Sequence, residues 1–185
     1  ISPQKTVMAA ATISETVDQQ AGVYDLSRLL ATLSLFENAD VEFGSDRFTI
    51  KGGRSEVNYT YTSESLIVSP PDKDIVVPNP EATVNVTWQD IDSVIRATGV
   101  LQLPEVAFSS DGSTIKLSAV DSKTSTADKY EVVVAEGVET EPFNMIIKTD
   151  NLKLVPTDYE VTLSSKGMAH FKSDVVQYWI AIESR

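Results

Sequence analysis

The sequence predicts an α+β fold of duplicated strand–helix–strand units, and three observations lead to it. Most of the chain alternates apolar and polar residues with a period of two, as in Val57–Tyr61 (VNYTY) and Tyr159–Leu163 (YEVTL). Alternation of that kind marks strands with one buried and one wet face. Three stretches break it with helical spacing, the third of them shorter. Finally, one line of sequence is written twice: DVEFGSDRFTIK at 40–51 returns as EVAFSSDGSTIK at 105–116.

The elements follow in chain order. Val7–Ile13 and Thr16–Val23 read as strands, the tail of a unit whose first strand and helix are missing from the chain. Asp25–Leu33 sets Leu26, Leu29, Leu30 and Leu33 on one helical stripe, with Asp25 positioned as N-cap. Val41, Phe43, Phe48 and Ile50 alternate around a turn at Gly44–Arg47, and Gly52-Gly53 forms a second turn. Four prolines between Ser69 and Pro80 predict an extended connector, residues 70–80. Asp90–Thr98 repeats the helical stripe with Ile91, Val94 and Ile95, and Asp90 is the expected cap. Asp111-Gly112 and Lys166-Gly167 are hairpin turns. Thr149–Val155 reads as a third, shorter helix stopped by Pro156.

At an offset of 65 the repeat runs from Asp25/Asp90 to Lys51/Lys116 without a gap. A weaker copy begins at Phe143. Two full units then occupy 81–185, while 1–69 holds one unit and part of another. This gives domain 1 at 1–69, the connector at 70–80 and domain 2 at 81–185.

Composition narrows the function classes. The 185 residues are 42% hydrophobic and 23% charged, as a globular chain should be. Net charge is −12, spread as six basic and eleven acidic groups over 1–80 and nine and sixteen over 81–185. A duplex-wrapping basic protein is disfavoured, although a small basic surface on an acidic body is not. With no cysteine, thiolate chemistry and disulfides are excluded. The single histidine, His170, lacks any nucleophile motif, and no metal-ligand spacing or phosphate loop occurs. No catalytic residue, metal or cofactor is therefore expected. Asp46 and Asp111 recur at equivalent positions, which turn geometry explains. The carboxylate pairs Asp72/Asp74 and Glu139/Glu141 read as solvated loop charge.

Each helical stripe leaves a cation on its far side: Arg28 on the first, Arg96 on the second and Lys153 on the third. Lys148 lies beside the third.

The order of these units resembles the DNA polymerase sliding clamps, and most closely the trimeric clamps of T-even-type tailed bacteriophages. The residues that carry the likeness are Val23–Leu26 with Leu33–Leu35, Ile95-Arg96 with Leu101-Gln102, and Phe143-Asn144 with Ile146-Ile147. It continues through Asn151, Lys153, Pro156 and Tyr159 to Tyr178, Ala181 and Glu183. The likeness spans essentially the whole chain, except that the family's first strand and helix have no counterpart. It implies a closed homotrimeric ring, paired by strands on the outside and lined by helices, that encircles duplex DNA irrespective of sequence. Such a ring tethers a replicative DNA polymerase, is placed by a clamp loader, and works in the cytoplasm of an infected bacterial host. It also implies Arg28, Arg96, Lys148 and Lys153 as the DNA-facing cations. A partner-peptide pocket is implied near Ile75, Val76 and Val77 on the connector, with Pro156, Ile180 and Ile182. A topological link needs no tight phosphate grip, so an acidic outer shell fits it. The alternative reading is a non-catalytic, duplicated β-rich structural protein of a virion.

Overall fold

This computed structural model describes residues 1–14, 16, 19–71, 73 and 75–183. In chain order it contains β1 (Val7–Ala11), α1 (Leu26–Leu33), β2 (Asp40–Phe43), β3 (Arg47–Gly52), β4 (Ser55–Thr60) and β5 (Ala82–Val86). Then come α2 (Trp88–Leu101), β6 (Glu105–Ser110), β7 (Thr114–Val120), β8 (Tyr130–Glu136), β9 (Phe143–Lys148), β10 (Tyr159–Ser164), β11 (Met168–Lys172) and β12 (Val176–Ala181). The chain divides into two compact units, residues 1–12 with 71–185, and residues 13–70.

The larger unit pairs its strands antiparallel in two sheets, ordered β1-β12-β11-β10-β5 and β8-β7-β6-β9. Alternation decides what each strand buries. In β10, Tyr159, Val161 and Leu163 are buried while Glu160 is exposed. They join Phe171, Tyr178 and Ile180 from the same sheet and Val106, Phe108, Ile115 and Ile147 from the other in one core. Phe108 and Phe171 meet across it edge to face, 6.1 Å between centroids. Each large aliphatic side chain buried there stabilises by about 1.5–3 kcal/mol. The expected hairpin turns are present: Gly112 and Gly167 take φ of 105° and 101°, a region that favours glycine.

Helix α2 covers this core with Ile91, Val94 and Thr98. It starts earlier than the sequence suggests. Thr87, not Asp90, is the cap: its Oγ1 accepts from the Asp90 N–H at 3.2 Å and donates to Asp90 Oδ2 at 2.6 Å. The Trp88 N–H donates to Asp158 Oδ1 at 2.7 Å, so a loop carboxylate serves the same positive helix end.

The third expected helix is absent. Only Thr149–Asn151 forms a turn of 3₁₀ helix. The cause is a buried pair: Leu152 and Leu154 both enter the core, and residues two apart cannot share one face of an α-helix. Two tyrosines then hold the irregular segment that follows. Tyr159 Oη donates to the Val155 carbonyl at 2.7 Å, and the Val155 N–H donates to Tyr178 Oη at 3.2 Å.

The smaller unit is a three-stranded sheet, β2-β3-β4, with α1 beside it. Val41 pairs with Ile50 and Phe43 with Phe48, as the opening repeat predicts. Asp25 caps α1 as expected, accepting from the Arg28 N–H at 2.9 Å. The leucine stripe behaves differently from its expected packing. Leu26 and Leu30 are 60% and 56% exposed, and only Leu29 and Leu33 reach half-burial. Phe48 and Ile50 are this sheet's only buried large side chains, which is too small an apolar face to receive the full stripe.

The N-terminal residues also depart from the expected division. Residues 1–12 belong with the larger unit, because β1 adds to the edge of β12 with Val7 opposite Ile180 and Ala11 opposite Val176. The strand expected at Thr16–Val23 falls partly on Val17 and Asp18, outside the described residues, and Gln19–Val23 are not strand. Asp72 and Asp74 also lie outside the described residues.

Candidate functional site

The sequence nominates four cations and six pocket residues. Arg96 stands on the solvent side of α2, since Ile91, Val94 and Thr98 turn inward. Its side chain is 71% exposed, and Nε lies 3.0 Å from Asp92 Oδ2 one turn back. An exposed pair of this kind contributes about 0.3–0.5 kcal/mol, so it does not fix the guanidinium in place. Lys153 lies between the buried Leu152 and Leu154 and is exposed. It stands on an irregular segment instead of the predicted helix, at a tight turn closed by the Leu154 N–H donating to the Leu152 carbonyl, and it makes no ion pair among the described residues. Lys148 ends β9 and reaches Glu183 Oε1 at 3.3 Å.

Arg28 is a different case. The sequence sets it on the face of α1 away from the sheet. In the structure its guanidinium carbon lies 5.9 Å from the centre of the Tyr59 ring on β4. Tyr59 Oη in turn donates to the Asp25 carbonyl at 3.2 Å, tying the edge strand to the start of α1. Beside them runs a groove of about 660 Å³ lined by Tyr24, Arg28, Val57, Tyr59 and Leu66. The sequence offers Tyr24 only within the family likeness and Tyr59 only within the strand alternation, neither as a site residue. Opposite positions on a helical wheel cannot reveal that a nearby aromatic ring draws the side chain back.

The six pocket residues separate by burial. Val76 is 80% exposed, Pro156 is exposed, and Ile75, Val77 and Ile182 are half-buried. Ile180 is corrected: it is fully buried in the core and cannot face a partner. Its neighbours Trp179 and Ala181 hold the outward face of β12. Trp179 stacks on His170 with 4.8 Å between ring centres and 14° between planes. His170 Nε2 lies 3.0 Å from Gln177 Oε1. The alternation Tyr178-in, Trp179-out, Ile180-in was present in the sequence and marks Trp179 as the outward-facing residue, which is half-buried.

The two recurrent aspartates hold turns by different means. Asp111 accepts from the N–H groups of Ser113 and Thr114, each at 2.9 Å. Those bonds hold its carboxyl below the usual range. Asp46 instead forms a two-point pair with Arg47, at 2.9 and 2.7 Å, which lowers its pKa. Burial pushes the Tyr159 hydroxyl up to about 12, with Tyr178 adding to it, so Tyr159 remains a neutral donor near pH 7.

Comparison with known proteins fits this geometry. The family described as gp45 sliding clamp, C terminal, matches residues 83–184, more than half of the chain. A sliding clamp of Vibrio phage KVP40 is 29% identical over 184 residues, covering 96% of this chain and 82% of its own. One of Escherichia phage RB69 is also 29% identical, over 187 residues, covering 97% and 82%. Among solved structures, PCNA of Thermococcus kodakaraensis superposes with a TM-score of 0.68 at 12% identity, covering 99% of this chain and 84% of that one. At that identity the superposition speaks for the fold alone.

Proposed function

The chain belongs to the gp45 sliding clamp family, and from that membership we propose that it is a processivity clamp: a ring of three copies that encircles duplex DNA and tethers the replicative polymerase. The match over residues 83–184 carries this reading, because it covers α2 and nearly every strand of the larger unit's two sheets apart from β1. A clamp acts by shape and docking, without chemistry. A ring closes when strands of one copy pair with strands of the next.

The DNA-facing role falls to exposed cations with loose or absent partners. Arg96 and Lys153 fit best, and Lys148 is a third. Each side chain is free to move, so it neutralises phosphate in passing and does not lock to one position. The net charge of −12 keeps duplex off the rest of the surface. Partner peptides, from polymerase or clamp loader, dock beside the connector. Val76, Pro156, Ile75, Val77 and Ile182 remain the candidates there, and Ile180 acts as the core residue beneath. The work is done inside the infected bacterial host.

Light scattering on the full-length protein tests the assembly. The mass of three copies is expected, and a stable single copy at micromolar concentration would contradict the proposal. A virion component would assemble without stimulating synthesis on primed DNA, so polymerase stimulation separates the two readings.

A further inference from the structure

We propose that Asp92 is a positioning residue for the passage of DNA: it competes with phosphate for Arg96 and so sets how weakly α2 grips a duplex. This deepens the DNA-facing reading above and rests on it. Three observations carry it. First, Asp92 and Arg96 share the solvent side of α2, one turn apart, while Ile91, Val94 and Thr98 turn inward. Asp92 Oδ2 lies 3.0 Å from Arg96 Nε, and the two side chains are 38% and 71% exposed. Acid before base at this spacing is the favourable order on a helix. The guanidinium is therefore drawn back along α2 yet stays in water, where a phosphate reaches it.

Second, the neighbouring carboxylates are engaged elsewhere. Asp90 takes the Thr87 hydroxyl, and Asp158 takes the Trp88 N–H. Among the described residues Arg96 is the only ion-pair partner of Asp92, so this acid offsets that cation and no other. The solvent side of α2, formed by Gln89, Asp92, Ser93, Arg96, Gly99 and Val100, then sums to no net charge. Third, the way forward from Asp92 is open. Gly99 stands one turn beyond Arg96, and a Cβ placed there would meet nothing within 4 Å. The chain's own packing has no need of a glycine at this point of a helix, where alanine is more stable. Val100, 81% exposed, carries no polar group. A guanidinium that leaves Asp92 for a phosphate meets no second carboxylate and no obstructing side chain. Lys153, which has no ion pair, lacks such a competitor, so the effect belongs to α2. Removing an exposed helix pair of this kind favours the competing phosphate contact by about twofold per copy, and by up to about eightfold for three copies on one duplex.

The test loads the full-length protein onto duplex DNA with blocked ends and follows its diffusion along the duplex by single-molecule fluorescence, between roughly 50 mM and 200 mM salt. The variants are Asp92→Asn, Asp92→Glu, Arg96→Gln and the double variant Asp92→Asn with Arg96→Gln. Glu42→Gln is the control, since it removes one carboxylate from the exposed pair with Lys51 and matches the change in net charge. Asp92→Asn is expected to slow diffusion by about two- to eightfold at the low salt and to converge on wild type at the high salt, as a phosphate contact should. Asp92→Glu keeps an acid within reach of Arg96 and stays near wild type, and Glu42→Gln is unchanged. In the Arg96→Gln background Asp92→Asn has no effect, which shows that the acid acts through Arg96. A role confined to helix stability would move urea unfolding and leave diffusion alone. Diffusion of Asp92→Asn at the wild-type rate in low salt overturns the proposal while the clamp stands. So does equal slowing with and without Arg96, which would make Asp92 a general repulsive charge. Wild type that is not retained on end-blocked DNA removes the clamp reading, and this proposal with it.

Discussion

Tyr159→Phe isolates one hydroxyl that acts on stability in two ways, one read near neutral pH and one in alkali. Near pH 7 the hydroxyl donates to the Val155 carbonyl and helps hold the segment that carries Lys153. Removing one such bond costs about 0.5–1.5 kcal/mol. The second effect is alkaline. Burial raises the Tyr159 pKa from 10.0 to about 12. A raised folded-state pKa means the native state holds the proton more tightly than the unfolded chain does. That contribution is complete below pH 10 and is lost as pH rises towards 12. The full displacement corresponds to roughly 2–3 kcal/mol, of which about 1.4 kcal/mol is gone by pH 11. Urea unfolding of wild type and Tyr159→Phe at pH 8 and pH 11 measures both. Wild type should be the more stable at pH 8 and should lose about 1 kcal/mol more than the variant on going to pH 11. Equal losses in the two proteins would show that this hydroxyl is not held in a dry site, and the account of the 152–156 segment would fail with it.

Other outcomes follow from the same geometry. Ile180→Ala should cost about 2–5 kcal/mol in urea unfolding, as a core truncation does, while Val76→Ala leaves stability unchanged within about 0.5 kcal/mol and weakens polymerase-peptide binding. Asp158→Ala removes the carboxylate at the start of α2 and should lower stability by about 1 kcal/mol, with hydrogen exchange rising first at Trp88–Asp90. Combining Arg96→Glu with Lys153→Glu should reduce polymerase stimulation on primed DNA while light scattering still reports the wild-type mass. Unchanged stimulation at physiological salt would remove both residues from the DNA-facing set.

The sequence was most legible where pattern and burial coincide. The echo of 40–51 in 105–116 is visible because the apolar side of each strand obeys the same alternation, and both hairpins form as read. Legibility failed where tertiary contacts override local pattern. Thr149–Val155 has helical composition, but Leu152 and Leu154 enter the core and Tyr159 and Tyr178 take up the Val155 backbone. Asp90 resembles a cap, yet Thr87 three residues earlier reaches the free N–H and makes Asp90 its reciprocal partner. Ile180 and Ile182 look alike in sequence, and only the centre of the sheet separates the buried one from the half-buried one. Arg28 shows the limit most clearly: helical periodicity gives the face it starts from, while Tyr59, thirty-one positions away in sequence, decides where the guanidinium ends.

A clamp is held to DNA by a topological link, which linearising the DNA would release. The full-length protein is loaded onto primed, closed circular DNA, and the fraction retained is followed by gel filtration before and after a restriction enzyme linearises the circle. A clamp held by encirclement should stay on the circle through a rise in salt and leave within minutes once free ends exist. Equal retention on circular and linear DNA would mean that contact, not encirclement, holds the protein, and the clamp reading would be wrong.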